Sequence, residues 1–406
     1  MTTNLLPDSW SHLDTGELRI LLDERIGGPG QYDDRTTNPD TLYLPLGGDS
    51  CRVALRFRNG RIAVITPGPA FDAGEWERVA AEVEGSLLVG PRKVGRDISF
   101  SSFRVSGSWQ GAQSGVQILP PPENAPRAPF ELAEHPFILE FPIQGCDRWR
   151  ITNHRRMREH RKLTLLFNVL LTGRTNLQPR RTERFWAEVG LDGPSDIRFV
   201  QPFYFADFGE AVADTLSPPA ANRLPEVDPD EYYTRLGHVG QDLRVPANFD
   251  ASICRYLDLS PDRRAKFDRA MFWLDMASRE WAVSVSSSFA ALVSAVESLT
   301  DRGVAHRAYC DQCQGYCQHE VPGATERFRA FFEQYAPGTG LRKRRNAMYA
   351  LRSGILHGST LMQLDQDLAF GWDPPYWDER ELHEELWGLV RVALRNWLVA
   401  LPTPSH

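Results

Sequence analysis

The chain has 406 residues and a mass of 46.0 kDa, 42% of it hydrophobic and 24% charged, which excludes a disordered polymer and leaves room for two ordinary domains. A formal net charge of −7 and a pI near 5.9 exclude a chain that is basic throughout, so any nucleic-acid partner has to be met by a local patch. No stretch approaches the roughly 18 apolar residues of a membrane span. The opening Met1-Thr-Thr-Asn-Leu-Leu-Pro7 has no basic segment followed by an apolar one, so the expectation is a cytoplasmic protein with no membrane partner.

Strand signals dominate the first part of the chain. At 52–65, Val53, Leu55 and Phe57 alternate with arginines, Asn59-Gly60 supplies a tight turn, and Ile62 and Val64 alternate back, which predicts a hairpin. Further strands are expected at 18–22, 41–46, 98–105, 115–119 and 137–141. A short helix is expected at 73–83, where Trp76, Val79, Ala80 and Val83 share a face. From Arg148 the character changes: 151–171 reads as a helix, basic at first (Arg155, Arg156, Arg158, Arg161) and apolar later. A strand is expected at 197–205. Residues 217–229, rich in proline and acid, mark a linker. The basic stretch 148–162 is a candidate nucleic-acid surface, against the alternative of a solvated or ion-paired face.

Beyond Pro246 the periodicity is helical. Ser260-Pro261 opens a helix at 262–284 that stripes Phe267, Met271, Leu274, Ala277 and Trp281. Others are expected at 285–300, 324–335 and 341–356, the last stopped by Gly358, and a fifth stripes Leu382, Leu386, Leu389, Val390, Ala393 and Trp397. The expected fold class is α+β: a β-rich domain at 1–216 with sensing or RNA binding as its candidate roles, a linker at 217–245, and an all-α bundle at 246–406.

Three of the six cysteines crowd into Cys310-Asp-Gln-Cys313-Gln-Gly-Tyr-Cys317-Gln-His319. In a reducing compartment thiolates and imidazole so spaced read as zinc ligands, with His306 a possible substitute for His319 within 306–319. Four protein ligands would fill a tetrahedral ion, so the expected cofactor is a structural zinc; free thiols in a loop are the alternative.

The candidate chemistry lies at Tyr349-Ala-Leu-Arg352-Ser353-Gly-Ile-Leu-His357-Gly358. Ser353 and His357 are four apart and share a helical face, and Arg352 is about 100° round from Ser353. A fixed cation, a hydroxyl and a group that titrates near neutrality are the parts needed to bind a phosphodiester, stabilise its charge and move a proton. One such pair is sparse; a two-fold dimer would supply both acid and base. No carboxylate cluster suited to Mg²⁺ accompanies the pair, so no catalytic metal is expected. Upstream, Arg342, Lys343, Arg344 and Arg345 are candidate RNA contacts, and Glu297 is a candidate to orient His357 or receive Arg352. Phosphate-loop, nucleophile-elbow and H-E-x-x-H patterns are missing from the sequence.

The Arg-x4-His spacing with a polar residue after the arginine resembles the signature of HEPN ribonucleases. The stretches Ser286-Ser-Ser-Phe-Ala-Ala-Leu-Val-Ser-Ala-Val-Glu-Ser-Leu299 and Leu351-Arg-Ser-Gly-Ile-Leu-His-Gly358 are similar to the second helix and the motif helix of the Apea-like HEPN branch. The resemblance covers about 246–401. It implies a dimeric, metal-independent endoribonuclease that uses Arg352 and His357 of both subunits, with Ser353 in support, often a toxin or anti-phage effector. It also implies attack by the RNA 2′-hydroxyl, leaving a 2′,3′-cyclic phosphate. The rival reading is a catalytically silent HEPN module that binds nucleotide or RNA or mediates dimerisation.

Overall fold

The computed structural model describes residues 4–10, 13–27, 40–44, 51–87, 90–121, 135–172, 175–177, 186–189, 197–200, 211–234, 242–300, 309–310, 314–316, 323–338, 342–367 and 374–400. The fold is α+β, with strands in the N-terminal part and helices in the C-terminal part. The described residues contain no helix long and apolar enough to cross a membrane.

Two compact units emerge, and they interleave along the chain. The first takes Met1–Asp97, Glu140–His160 and Phe208–Pro218; the second takes Ile98–Leu139, Arg161–Asp207 and Pro219–His406. This differs from the serial division expected at residues 216 and 246. The supposed linker explains part of the difference. Leu224 is buried, the Ser108 and Leu224 N–H groups bond to the Asn222 and Ser108 carbonyls at 2.9 Å, and Glu226–Val227 forms a parallel pair with Val245–Pro246. Proline-rich composition breaks regular structure but does not prevent docking through backbone bonds.

In the first unit, Asp14 accepts a hydrogen bond from the Glu17 N–H and caps helix α1 (Thr15–Leu22). This corrects the strand expected at 18–22. Leu18, Leu21 and Leu22 are buried together, a helical spacing. Strand β1 (Thr41–Leu44) pairs antiparallel with β2 (Val53–Arg58), which pairs with β3 (Arg61–Pro67) around the expected turn, Asn59 at φ 52° and Gly60 at φ 73°. Helix α2 (Ala73–Leu87) buries Trp76, Val79, Val83 and Leu87 against Trp10, Leu18, Leu21, Leu55 and Ile65. Strand β4 (Arg92–Ser101) begins in this unit.

Strands β5 (Trp109–Gln110) and β6 (Gln117–Leu119) pair antiparallel within the second unit. Strand β7 (His135–Gln144) and helix α3 (Trp149–Leu170) follow them in the chain. Residues Ser99–Ser101 of β4 take on β8 (Thr175–Leu177), while β9 (Trp186–Val189) and β10 (Ile197–Val200) pair with each other. In the first unit, β11 (Val212–Ala213) pairs with Val94 and Gly95 of β4. The parallel pair already described is β12 (Glu226–Val227) and β13 (Val245–Pro246), with α4 (Pro229–Thr234) between them.

The helical part of the second unit comprises α5 (Phe249–Leu257), α6 (Pro261–Glu280), α7 (Val285–Glu297), α8 (Ala324–Tyr335), α9 (Arg342–Leu356), α10 (Gln363–Asp367) and α11 (Pro374–Ala400). Helix α7 is the central one. It packs on α6, α9 and α11, and most of its residues are buried. Phe267, Phe289, Leu292, Phe328, Phe332, Leu386 and Leu398 are at or near zero exposure and form the bundle's core. Phe249 of α5 meets Trp109 and Phe167 at ring-centroid distances of 4.7 and 5.1 Å, tying the strand region of this unit to its bundle.

Candidate functional site

Helix α9 carries the Arg-x4-His segment and ends where glycine permits. Gly358 has φ 68°, the left-handed conformation that closes helices. The Ser359 N–H bonds to the Gly354 carbonyl at 2.9 Å and the Gly358 N–H to the Ile355 carbonyl at 3.1 Å, the paired bonds of a Schellman stop. His357 is the residue just before this turn. Its N–H still bonds to the Ser353 carbonyl at 3.0 Å, and its side chain is exposed.

Arg352 is held from the neighbouring helix. Its Nη2 donates to Glu297 Oε2 at 2.5 Å, and the Tyr349 hydroxyl donates to Glu297 Oε1 at 2.9 Å, so one carboxylate at the end of α7 organises two residues of α9. The guanidinium also lies over the Tyr349 ring, 5.6 Å from its centroid. Burial pushes the Tyr349 hydroxyl pKa up, and the bond to Glu297 pushes it the same way. Arg352 is 19% exposed and Glu297 30%. This is the arrangement in which Glu297 receives Arg352, one of the two roles expected for it; no contact of Glu297 with His357 accompanies it among the described residues. Ser353 is half-buried on the His357 face. Tyr349 was not among the residues singled out from sequence, although its place three positions before Arg352 puts it on the same face.

The entry to α7 is fixed by Asp365. Its Oδ1 accepts the Val285 N–H at 2.9 Å, and its Oδ2 accepts the Ser286 N–H at 2.7 Å and the Ser284 hydroxyl at 2.8 Å. Burial works to raise the Asp365 pKa, but the bonds from Ser286, Ser284 and Val285 outweigh it and hold it below the ordinary carboxylate value. Ser286 Oγ in turn accepts the Met362 N–H at 2.8 Å. The chain leaving α9 is thereby tied to the start of α7, while Glu297 ties Arg352 to its end.

The basic run at the start of α9 divides. The side chains of Arg342 and Lys343 lie outside the described residues. Arg344 pairs with Glu385 of α11. Arg345 is 2% exposed, donates through Nη2 to the Ala336 carbonyl at 2.9 Å and lies over Phe332. This corrects its place among the RNA contacts: a guanidinium enclosed at the end of α8 cannot grip a phosphate from solvent. In α3, similarly, Arg155 and Arg156 are ion-paired with Glu17 and Asp97, and Arg158 with Asp14 and Glu17, which answers the nucleic-acid expectation for that stretch with an ion-paired one.

Cys310 belongs to β14 (Tyr309–Cys310), which pairs antiparallel with β15 (Gly315–Tyr316). The side chain of Cys310, and Cys313, Cys317, His319 and His306 entirely, lie outside the described residues. Among the described residues no cluster of three or more metal-ligating side chains occurs.

No family model matches this chain, and no curated protein and no solved structure matches it either.

Proposed function

We propose that the helical part of the second unit is a HEPN-type RNA endonuclease module in which Arg352 and His357 carry the chemistry, with no catalytic metal. The observation that carries this reading is the Glu297–Arg352–Tyr349 constellation, with an exposed His357 five residues on at the stopped end of the same helix. Arg352 is fixed by two neighbours, as a cation must be if it is to meet developing phosphate charge without reorganising. His357 is free to accept a proton from a ribose hydroxyl and return one to the leaving oxygen. One chain supplies a single titrating group at this place, so the reading includes a homodimer in which the second chain supplies the other. Cys310, Cys313, Cys317 and His319 would hold a structural zinc. Cytoplasmic toxin or antiviral activity is the biological role this chemistry would serve.

One observation favours the silent-module alternative. Glu297 already neutralises a guanidinium that is only 19% exposed, so a phosphate must compete with that carboxylate. Incubation of the full chain with structured and unstructured RNAs, with EDTA and with His357→Ala as controls, separates the two. Cleavage that survives brief EDTA, leaves cyclic phosphate ends and is lost in the variant supports the nuclease. RNA bound but uncut, or cut equally by the variant, supports the silent module.

A further inference from the structure

The first unit contains a cavity of about 810 Å³ with a predominantly polar wall. That volume lies within the roughly 300–1,000 Å³ of sites that take cofactor-sized ligands. Its deepest charges are a buried ion pair. Arg155 donates through Nη2 to Glu17 Oε2 at 2.6 Å and to the Leu87 carbonyl at 3.0 Å, and through Nη1 to the Gln144 and Gly145 carbonyls at 3.1 Å. The two side chains are 4% and 6% exposed. This pair is spent on the fold and makes a stiff floor.

The rim is different. Arg158, 32% exposed, sits among Asp14 at 2.8 Å, Glu17 at 3.1 Å and Glu159 at 3.4 Å, its Nη1 and Nε taken by these carboxylates, and also lines the cavity. Arg61, at the first position of β3, is exposed on the same wall and has no ion-pair partner among the described residues. The Asn59-Gly60 turn before it, with both residues at positive φ, fixes where Arg61 leaves the sheet. Asp14 Oδ1 takes two donors, the Glu17 N–H at 3.0 Å and His154 Nε2 at 3.2 Å, whereas Oδ2 takes Arg158 and keeps acceptor capacity for another donor. The cavity thus offers guanidinium for an anion and, beside it, a carboxylate oxygen for a hydroxyl.

We propose that this cavity binds a phosphorylated ribose, its phosphate on Arg61 and the exposed part of Arg158 and a sugar hydroxyl on Asp14. Such a group belongs both to ribonucleotides and to free sugar phosphates, and the volume leaves room for a base. The inference is independent of the nuclease reading, which concerns the other unit.

The test is calorimetry and thermal unfolding of the full chain with AMP, GMP, ribose 5-phosphate, ribose and inorganic phosphate. At least one phosphate ester should bind and raise the midpoint by about 2–5 °C at saturating concentration, with ribose and phosphate each weaker by tenfold or more. A nucleotide better than ribose 5-phosphate identifies the nucleotide source; equal affinities identify the sugar phosphate. Arg61→Glu should weaken the preferred ester at least tenfold while leaving the ligand-free midpoint unchanged. Asp14→Asn, which preserves a good helix cap, should weaken it less. No shift with any ester, phosphate alone binding as well as its esters, or full affinity in Arg61→Glu each overturns the proposal; the last places the ligand elsewhere, the Arg352 site included.

Discussion

Helices α3 and α9 carry similar arginine-rich runs, and the structure uses them differently. In α3 Arg155 is matched to Glu17, Arg156 to Asp97 and Arg158 to Asp14 and Glu17, and Arg148 just before the helix to Glu24 and Glu82. The neighbouring His154 faces Asp14 as well. In α9, Arg344 and Arg345 also serve the fold, but Arg352 is held by Glu297 five residues before a histidine that stands in solvent at the helix stop. A basic run is therefore no measure of phosphate binding. What makes α9 a candidate for chemistry is the exposed group able to move a proton at the end of the same helix.

The most disruptive way to test the structural half of this contrast is Arg155→Met. Removing one partner of an ion pair with side chains 4% and 6% exposed leaves Glu17 with Arg158 alone and strips the Leu87, Gln144 and Gly145 carbonyls of a buried donor, and destabilisation of about 3–5 kcal/mol is expected in urea unfolding. If α3 were instead a nucleic-acid face, the variant would keep its stability and lose RNA affinity.

On the α9 side, Arg352→Ala and His357→Ala should each lower RNA cleavage by ~100-fold or more, about 2.7 kcal/mol, measured as single-turnover rates. Wild-type rates in both variants would remove the distinction between the two helices. Arg345→Leu sharpens it from within α9. It leaves the Ala336 carbonyl without its donor, so a loss of about 1–3 kcal/mol in stability is expected, with cleavage per folded molecule unchanged. A Arg345→Leu protein that is stable but fails to bind RNA would return this residue to the contact surface.

The parts of the molecule legible in the sequence are those governed by local periodicity. The stripes of α6, α7, α8 and α9 gave helices close to their expected bounds, and Asn59-Gly60 marked its hairpin. Helix α1 was misread because Leu18, Ile20 and Leu22 also alternate, and only the Asp14 cap and the burial of Leu21 distinguish a helix from so short a strand. The Glu297–Arg352 pair was foreseeable as one of two options, since both residues lie on amphipathic helices of one bundle. The fates of Arg344 and Arg345 were not. Adjacent residues on a helix point about 100° apart, so a run of four basic residues necessarily visits several faces, and tertiary packing decides which of them is inward. The interleaved units were equally hidden, because they depend on pairings between residues more than a hundred positions apart, such as Arg155 with Glu17 in the first unit and Leu224 with Ser108 in the second.

The smallest expected effect concerns the frame that holds α9 against α7. Asp365→Asn keeps one side-chain oxygen where the carboxylate has two, so either the Val285 or the Ser286 N–H loses its acceptor, and the charge that strengthens those bonds at the positive end of α7 is lost as well. The cost at pH 7 is expected to be about 0.5–2 kcal/mol, the range of helix-cap substitutions. Its pH dependence carries the sign of a depressed carboxyl. Asp365 has a lower pKa folded than unfolded, so its contribution is fully present above the unfolded value, about 3.9, and is lost as pH falls through the folded one. The stability difference between wild type and Asp365→Asn should accordingly be flat above about pH 5 and shrink below about pH 4, as read from denaturant midpoints at each pH. A difference that grows on acidification would mean that the carboxyl binds its proton more readily in the folded chain, and that Asp365 does not hold the start of α7 as a charged cap.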